Sequence, residues 1–276
     1  MSMNSINTNV GALVALQNLN TTSNELKVTQ GRISTGRNID TAKDNGAIWA
    51  IAQGQRSEST SLNAVKDSLR RAQSVTDVAL AAGATISDLL NGMKEKALAA
   101  SDATLTTDSI KALNEDFKAL RDQITKAVTN ATFDGANLIK SGGTSIAALA
   151  SADGTSKITI SAVSLALGGS TITVATTASF DTATAAGTLA TTSATSITNL
   201  NAALAKVGTK AKYLDSYLTF VGKLQDSLDN GIGNLVDADL AKESARLQSL
   251  QAKQQLGVQS LSIANQSTAV LQNLFR

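Results

Sequence analysis

From Leu62 to Ala100 an apolar or small residue returns at alternating steps of three and four, by way of Val65, Leu69, Ala72, Thr76, Ala79, Gly83, Ile86, Leu90, Met93 and Ala97. The same spacing joins Ile110, Leu113, Phe117, Leu120, Ile124 and Ala127. It returns in Ile197, Leu200, Leu204, Val207, Ala211, Leu214, Leu218, Val221, Gln225, Leu228, Ile232 and Leu235. Steps of three and four average about 3.5 residues, the repeat that keeps one helix face turned toward a partner. A strand would alternate every second residue instead. Proline would break such a helix by removing an amide donor and clashing with the preceding turn; the chain has none in 276 residues. Three long helices packed lengthwise are therefore predicted. Asp108 is placed as the N-cap of the second, and Asp134-Gly135 as the turn after it.

The composition sets what those helices can bury. Hydrophobic residues make up 42%, yet 44 of them are alanine, and aromatics are 3% with Trp49 the single tryptophan. Such a chain suits close, alanine-lined seams between helices better than a bulky interior. Charged residues are 17% and the net charge is +2, so the pI of about 8.8 reflects near-balance and predicts no nucleic-acid partner. The absence of histidine and cysteine excludes histidine- or thiolate-ligated metals, disulfides, iron–sulfur clusters and Ser-His-Asp or Cys-His catalysis. No apolar run approaches the ~18 residues of a membrane span. The N-terminus has neither the basic nor the apolar region of a cleaved signal. On composition alone the chain reads as cytosolic.

The two ends carry weaker stripes. Ile6, Val10, Leu13, Leu16, Leu19, Leu26 and Ile33 drift round a helix, while Leu240, Leu247, Leu250, Leu261, Ala264, Leu271 and Phe275 keep a seam that Gln254, Gly257 and Thr268 interrupt. Helices this weakly patterned are marginal alone in water, so each needs a partner. Between the helical blocks, residues 141–196 hold 23 Ser or Thr, with only Asp153, Lys157 and Asp181 charged. Lys157-Ile-Thr-Ile-Ser alternates as a strand does. Leu165-Ala-Leu and Thr171-Ile-Thr-Val flank Gly168-Gly169 as a hairpin would. With few large residues to bury, this block is expected to be a small β appendage. The expected fold is mainly α: a long antiparallel coiled coil or helical bundle built from both termini, with a small β-rich central insertion. Its parts are terminal coil segments 1–40 and 237–276, rod helices in 41–140 and 197–236, and the insertion 141–196.

Candidate chemistry is sparse. Asp237, Asp239 and Glu243 read as acids at a helix start, where they offset the helix dipole. The glycines near Gly142 and Gly168 lack the lysine and following helix of a phosphate loop. Lys43, Lys94 and Lys96 lie among acids without interleaved aromatics, and Trp49 reads as a packing residue. No catalytic residue, cofactor site or metal site is assigned, and the chain is not expected to be an enzyme.

A set of motifs resembles bacterial flagellin, in order over about 220 residues. They are Ile6-Asn-Thr-Asn, Ala15-Leu-Gln-Asn-Leu-Asn, Arg32-Ile-Ser-Thr-Gly-Arg-Asn-Ile and Ala42-Lys-Asp-Asn-Gly-Ala, followed by Thr132-Phe-Asp-Gly with Leu138. Near the other end stand Asp237-Ala-Asp-Leu-Ala-Lys-Glu, Ile263-Ala-Asn-Gln and Leu271-Gln-Asn-Leu-Phe-Arg. The short middle resembles alphaproteobacterial flagellins. The resemblance implies a subunit of the extracellular flagellar filament, self-assembling head to tail into a helix for swimming. Its terminal segments would pair as a coil lining the central channel, making the apolar residues of both terminal stripes, Ile6 to Ile33 and Leu240 to Phe275, the subunit interface. The implied partners are other flagellin copies, the type III flagellar export apparatus and the cap, with export lacking a cleaved signal and no membrane insertion. The alternative is the hook–filament junction protein, which shares both termini but has a longer, divergent middle. Two departures stand out: Ser267-Thr268 where many flagellins carry proline, and Gly92 with Lys94 where an L-Q-R-x-R-E-L-A segment has arginines.

Overall fold

A computed structural model describes residues 8–274, with side chains through residue 266. The chain runs α1 (Val10–Thr35), α2 (Gly46–Ala100), α3 (Thr107–Asn130), β1 (Ile146–Leu149), β2 (Lys157–Ile160), α4 (Ala183–Val236) and α5 (Leu240–Leu274). Two compact units form. One joins residues up to Ser57 with those from Ser227 onward, and the other spans Glu58–Asp226.

In the Glu58–Asp226 unit, α2 lies between α3 and α4. Both neighbours run antiparallel to it: Lys96 pairs with Asp116 at 2.9 Å on one side, and Lys66 donates to Gln225 Oε1 at 2.5 Å on the other. A helix covered on two sides has no exposed seam. Accordingly all the seam positions from Leu62 to Ala100 are buried. In α3 and α4 the seam is covered less completely. There every other position is buried (Ile110, Phe117 and Ile124; Leu200, Val207, Leu214 and Val221) and those between are half-buried. Gly83 leaves room for Leu204 of α4: a Cβ there would lie 2.3 Å from Leu204 Cδ2. Gly92 meets Leu120 in the same way, with a Cβ 3.2 Å from its Cδ1. The glycine in the altered motif thus leaves room for the Leu120 side chain of α3.

The helix ends refine the sequence expectation. Thr106, not Asp108, caps α3, its hydroxyl accepting from the Ser109 amide at 3.2 Å; Asp108 is the first-turn acid. Asp134 and Gly135 form a two-residue turn with φ of 50° and 76°, and Phe133 and Ala136 exchange amide–carbonyl bonds of 3.0 and 2.9 Å. Positive φ at both central residues is what a tight hairpin turn of this hand requires.

The middle block differs most from expectation. The hairpin is β1–β2, antiparallel with Ile146 opposite Ile160 and Leu149 opposite Lys157. Around Gly168-Gly169 there is a single bridge, Leu167 to Ile172, and no strand pair. Nor does the block bury little. Ile160, Leu165, Ile172, Val174 and Phe180 are all buried, and Phe180 meets Phe117 edge to face with centroids 5.3 Å apart. The reason is that one strand residue in two, plus the irregular stretch, turns inward onto the helices. Residues 183–196, placed in the insertion by their Ser/Thr content, are the first turns of α4. The hydroxyls of Thr188, Thr191, Thr192, Thr195 and Ser196 return to carbonyls four residues back, as Thr192 does to Thr188 at 2.9 Å, whereas Ser193 Oγ is buried without a partner. Satisfied locally, the bonded hydroxyls do not compete with the helix for other partners.

In the other unit, Ile39, Ala52, Ile232 and Val236 form a buried cluster against which Ile48, Trp49 and Leu235 pack. Trp49 is a packing residue.

Candidate subunit interface

The terminal helices pair antiparallel, and each end of the pair is pinned by polar contacts. Asn9 caps α1, its Oδ1 accepting from the Ala12 amide at 2.9 Å, and its Nδ2 donates to the Ala264 carbonyl of α5 at 2.8 Å. At the other end Gly36 takes φ 70° and stops α1. There the Asn38 amide donates to the Val236 carbonyl at 2.7 Å, and the Ala238 amide to the Gly36 carbonyl at 2.9 Å. Asp239 starts α5 by accepting from the Lys242 amide at 3.0 Å, while Asp237 lies in the bridge opposite Arg37. One turn into the coil, Arg32 donates to Glu243 at 3.2 Å. Both side chains are largely buried, and Arg32 Nε and Glu243 Oε2 have no partner. The Asp237/Asp239/Glu243 acids thus divide into a bridge residue, a cap and an ion-pair partner.

Along the pair, Leu250 is 3% exposed; Leu19, Leu26, Ile33, Leu247, Leu261 and Ala264 are half-buried. Gly257 gives Leu19 room, since a Cβ there would lie 3.2 Å from its Cδ1. Val10, Leu13, Leu16 and Leu240 are exposed. Ile6 and Phe275, and the side chain of Leu271, lie outside the described residues. Sequence reasoning passed over Val14, Val28, Leu256, Val258 and Ile263, which are exposed as well. They lie off the stripes, so a search for one apolar face discards them. A helix apolar on more than one face needs more than one partner, and that was the available signal.

The connection between α1 and α2 is held by Asp44. Its carboxylate accepts from the Thr41 amide at 2.9 Å, the Thr41 hydroxyl at 3.0 Å and the Asp40 amide at 3.1 Å, which keeps its pKa below the ordinary value. A shallow hollow of about 200 Å³ beside it is lined by Arg32, Arg37, Asp40 and Asp44 among others. Its charges are mixed and mutually bonded, as in Arg37 to Asp40 at 3.1 Å. Among the described residues no three acids gather as a metal site would need, and no helix is long and apolar enough to cross a membrane.

Residues 6–144 match the bacterial flagellin N-terminal helical region, and residues 191–275 the bacterial flagellin C-terminal helical region. Flagellin FljO of Caulobacter vibrioides is 61% identical over the whole of both chains. Flagellin FljJ of the same organism is 46% identical over 99% of this chain and 98% of its own length. A flagellin of Brucella melitensis is 37% identical over 99% of this chain and all of its own. Among solved structures, Bacillus cereus flagellin superposes with a TM-score of 0.50 at 22% identity, covering 56% of this chain and 88% of that one, a likeness of fold. With both family regions present in order and full-length relatives of this similarity, the chain belongs to the bacterial flagellins.

Proposed function

We propose that this filament subunit polymerises through the outer faces of its paired terminal helices, segments 1–40 and 237–276. In this reading the helices of 41–140 and 197–236 form a surrounding rod and the central block faces outward. The observation that carries it is the placement of apolar surface. Of the fourteen large hydrophobic residues exposed among those described, nine lie on α1 and α5. Water-facing patches of that kind mark surfaces awaiting a partner, and the partners of a flagellin are other copies of itself. Identical heterologous contacts that do not close generate a helix of indefinite length. No relative described above is a hook–filament junction protein.

The subunit acts outside the cell, leaving through the flagellar export apparatus without cleavage and adding beneath the cap. Freedom from cysteine and proline supports that route: no disulfide can trap the chain and no prolyl isomerisation slows refolding. It is a structural protein without catalysis, in keeping with the lack of histidine and cysteine.

Leu256→Asp tests the interface. Leu256 is 63% exposed in the subunit, so the isolated chain should keep its circular dichroism. In the filament the same change buries an unpaired carboxylate. Seeded growth, followed by sedimentation, should fall at least ~10-fold, which is about 1.4 kcal/mol per contact. Normal growth would remove this face from the interface.

A further inference from the structure

We propose a second subunit contact, on the Glu58–Asp226 unit: an aromatic ladder on α4 that seats on an alanine face of α2 in a neighbouring copy. Tyr213, Tyr217 and Phe220 follow one another at steps of four and three, with ring centroids 6.2 and 5.6 Å apart. Tyr213 is 49% and Phe220 53% exposed, in a chain with only eight aromatics. The Tyr217 hydroxyl donates to the Ala150 carbonyl at 2.5 Å, which fixes the middle rung against the segment after β1. The ladder is a stripe beside the one that α4 already uses inside the subunit, where Leu214 and Val221 are buried. A helix with two such stripes is built for two partners, and rigid aromatics are what subunit contacts favour.

The occupant follows from charge and shape. Lys206 and Lys210 precede the ladder on the same stripe and Lys223 follows it, all exposed. On α2 the steps of four and three recur in Asp77, Ala81, Ala84 and Asp88, again all exposed. One surface has bulky rings bracketed by cations, and the other a smooth small-residue strip bracketed by anions. None of Lys210, Lys223, Asp77 and Asp88 joins an ion pair among the described residues. The two faces occupy different helices of the same chain, so joining them is a heterologous contact, which extends into a filament when the rotation between copies does not close a ring. A flagellin subunit is surrounded by copies that carry both.

The test uses the full chain and filament seeds. Tyr213→Ala/Phe220→Ala is expected to leave monomer helicity unchanged and to raise the critical concentration for growth about tenfold. K210E/K223E should do the same at low salt, and D77K/D88K added to that chain should restore growth to within about twofold. These four positions are exposed, so the reversal series holds even if the aromatic variant unfolds. The proposal is overturned if the aromatic variant grows normally from folded monomer, or if the four-charge chain grows no better than the two-charge one. Leu256→Asp reports on the terminal helices alone, so either contact can fail without the other.

Discussion

A chain shortened to end at Val236 is expected to stay soluble, helical and monomeric, and never to extend a filament seed. The deletion removes α5 and with it Leu250, 3% exposed, and the half-buried Leu247 and Leu261 that cover one side of α1. At roughly 1.5–3 kcal/mol per fully buried side chain, and less for the half-buried ones, the loss per subunit is several kcal/mol before ordering costs. It also removes the Ala264 carbonyl that holds Asn9 and the Glu243 carboxylate that holds Arg32. Without those, α1 is an isolated helix of 26 residues with no partner, and it should melt. The Glu58–Asp226 unit keeps every residue of its own core. Circular dichroism should therefore show a loss limited to the terminal helices, with a cooperative transition retained. Filaments from the shortened chain would contradict the terminal-coil account. A non-cooperative melt would contradict the independence of the Glu58–Asp226 unit.

Phe117→Ala should produce the largest loss of stability by a single substitution in that unit. Phe117 is fully buried and contacts Phe180 edge to face with planes 68° apart. Large-to-alanine changes at such sites cost about 3–5 kcal/mol, since the cavity adds to the lost transfer energy. The core is otherwise alanine and medium aliphatics, so little nearby can swing in to fill the space. The segment leading into α4 would loosen with it, because Phe180 is held by this ring and by the hydrogen bond its backbone amide donates to Asn114 Oδ1 at 3.0 Å. Leu113→Ala, at a half-buried position of the same helix, is expected to cost less than half as much. Equal melting temperatures for the two variants would refute the ranking.

The long helices were legible because a period of 3.5 sustained over many turns has one structural meaning. The burial of each position from Leu62 to Ala100 follows from that period together with α2 having a neighbour on both sides. The middle block, a small β element as expected, was legible only in part because its signals are short. Alternation at Lys157–Ile160 marked a true strand, but the same alternation at Thr171–Val174 did not become one. The partner of Lys157–Ile160 is Ile146–Leu149, Ile-Ala-Ala-Leu, which alternates nothing. Threonine-rich residues 183–196 have low helix propensity, yet tertiary packing of Ala186, Ala190 and Ser193 makes them helix. At the ends, the stripes led to residues where α1 and α5 meet and to the outward Val10, Leu13, Leu16 and Leu240, but missed the outward Leu256, Val258 and Ile263. Pattern within one helix reveals its nearest partner; apolar residues off that stripe leave no single period. The Arg32–Glu243 pair was invisible for the same reason, since nothing local joins residues 211 positions apart.

The central claim is that the exposed apolar faces of α1 and α5 are buried between copies in the filament. A cryo-electron microscopy reconstruction of the homopolymer measures this directly. The account predicts that Val10, Leu13, Leu16, Leu256, Val258 and Ile263 each lie within van der Waals contact of a neighbouring subunit, with α1 still antiparallel to α5 and Arg32 still facing Glu243. Terminal helices separated from one another, or those six side chains open to solvent, would contradict it.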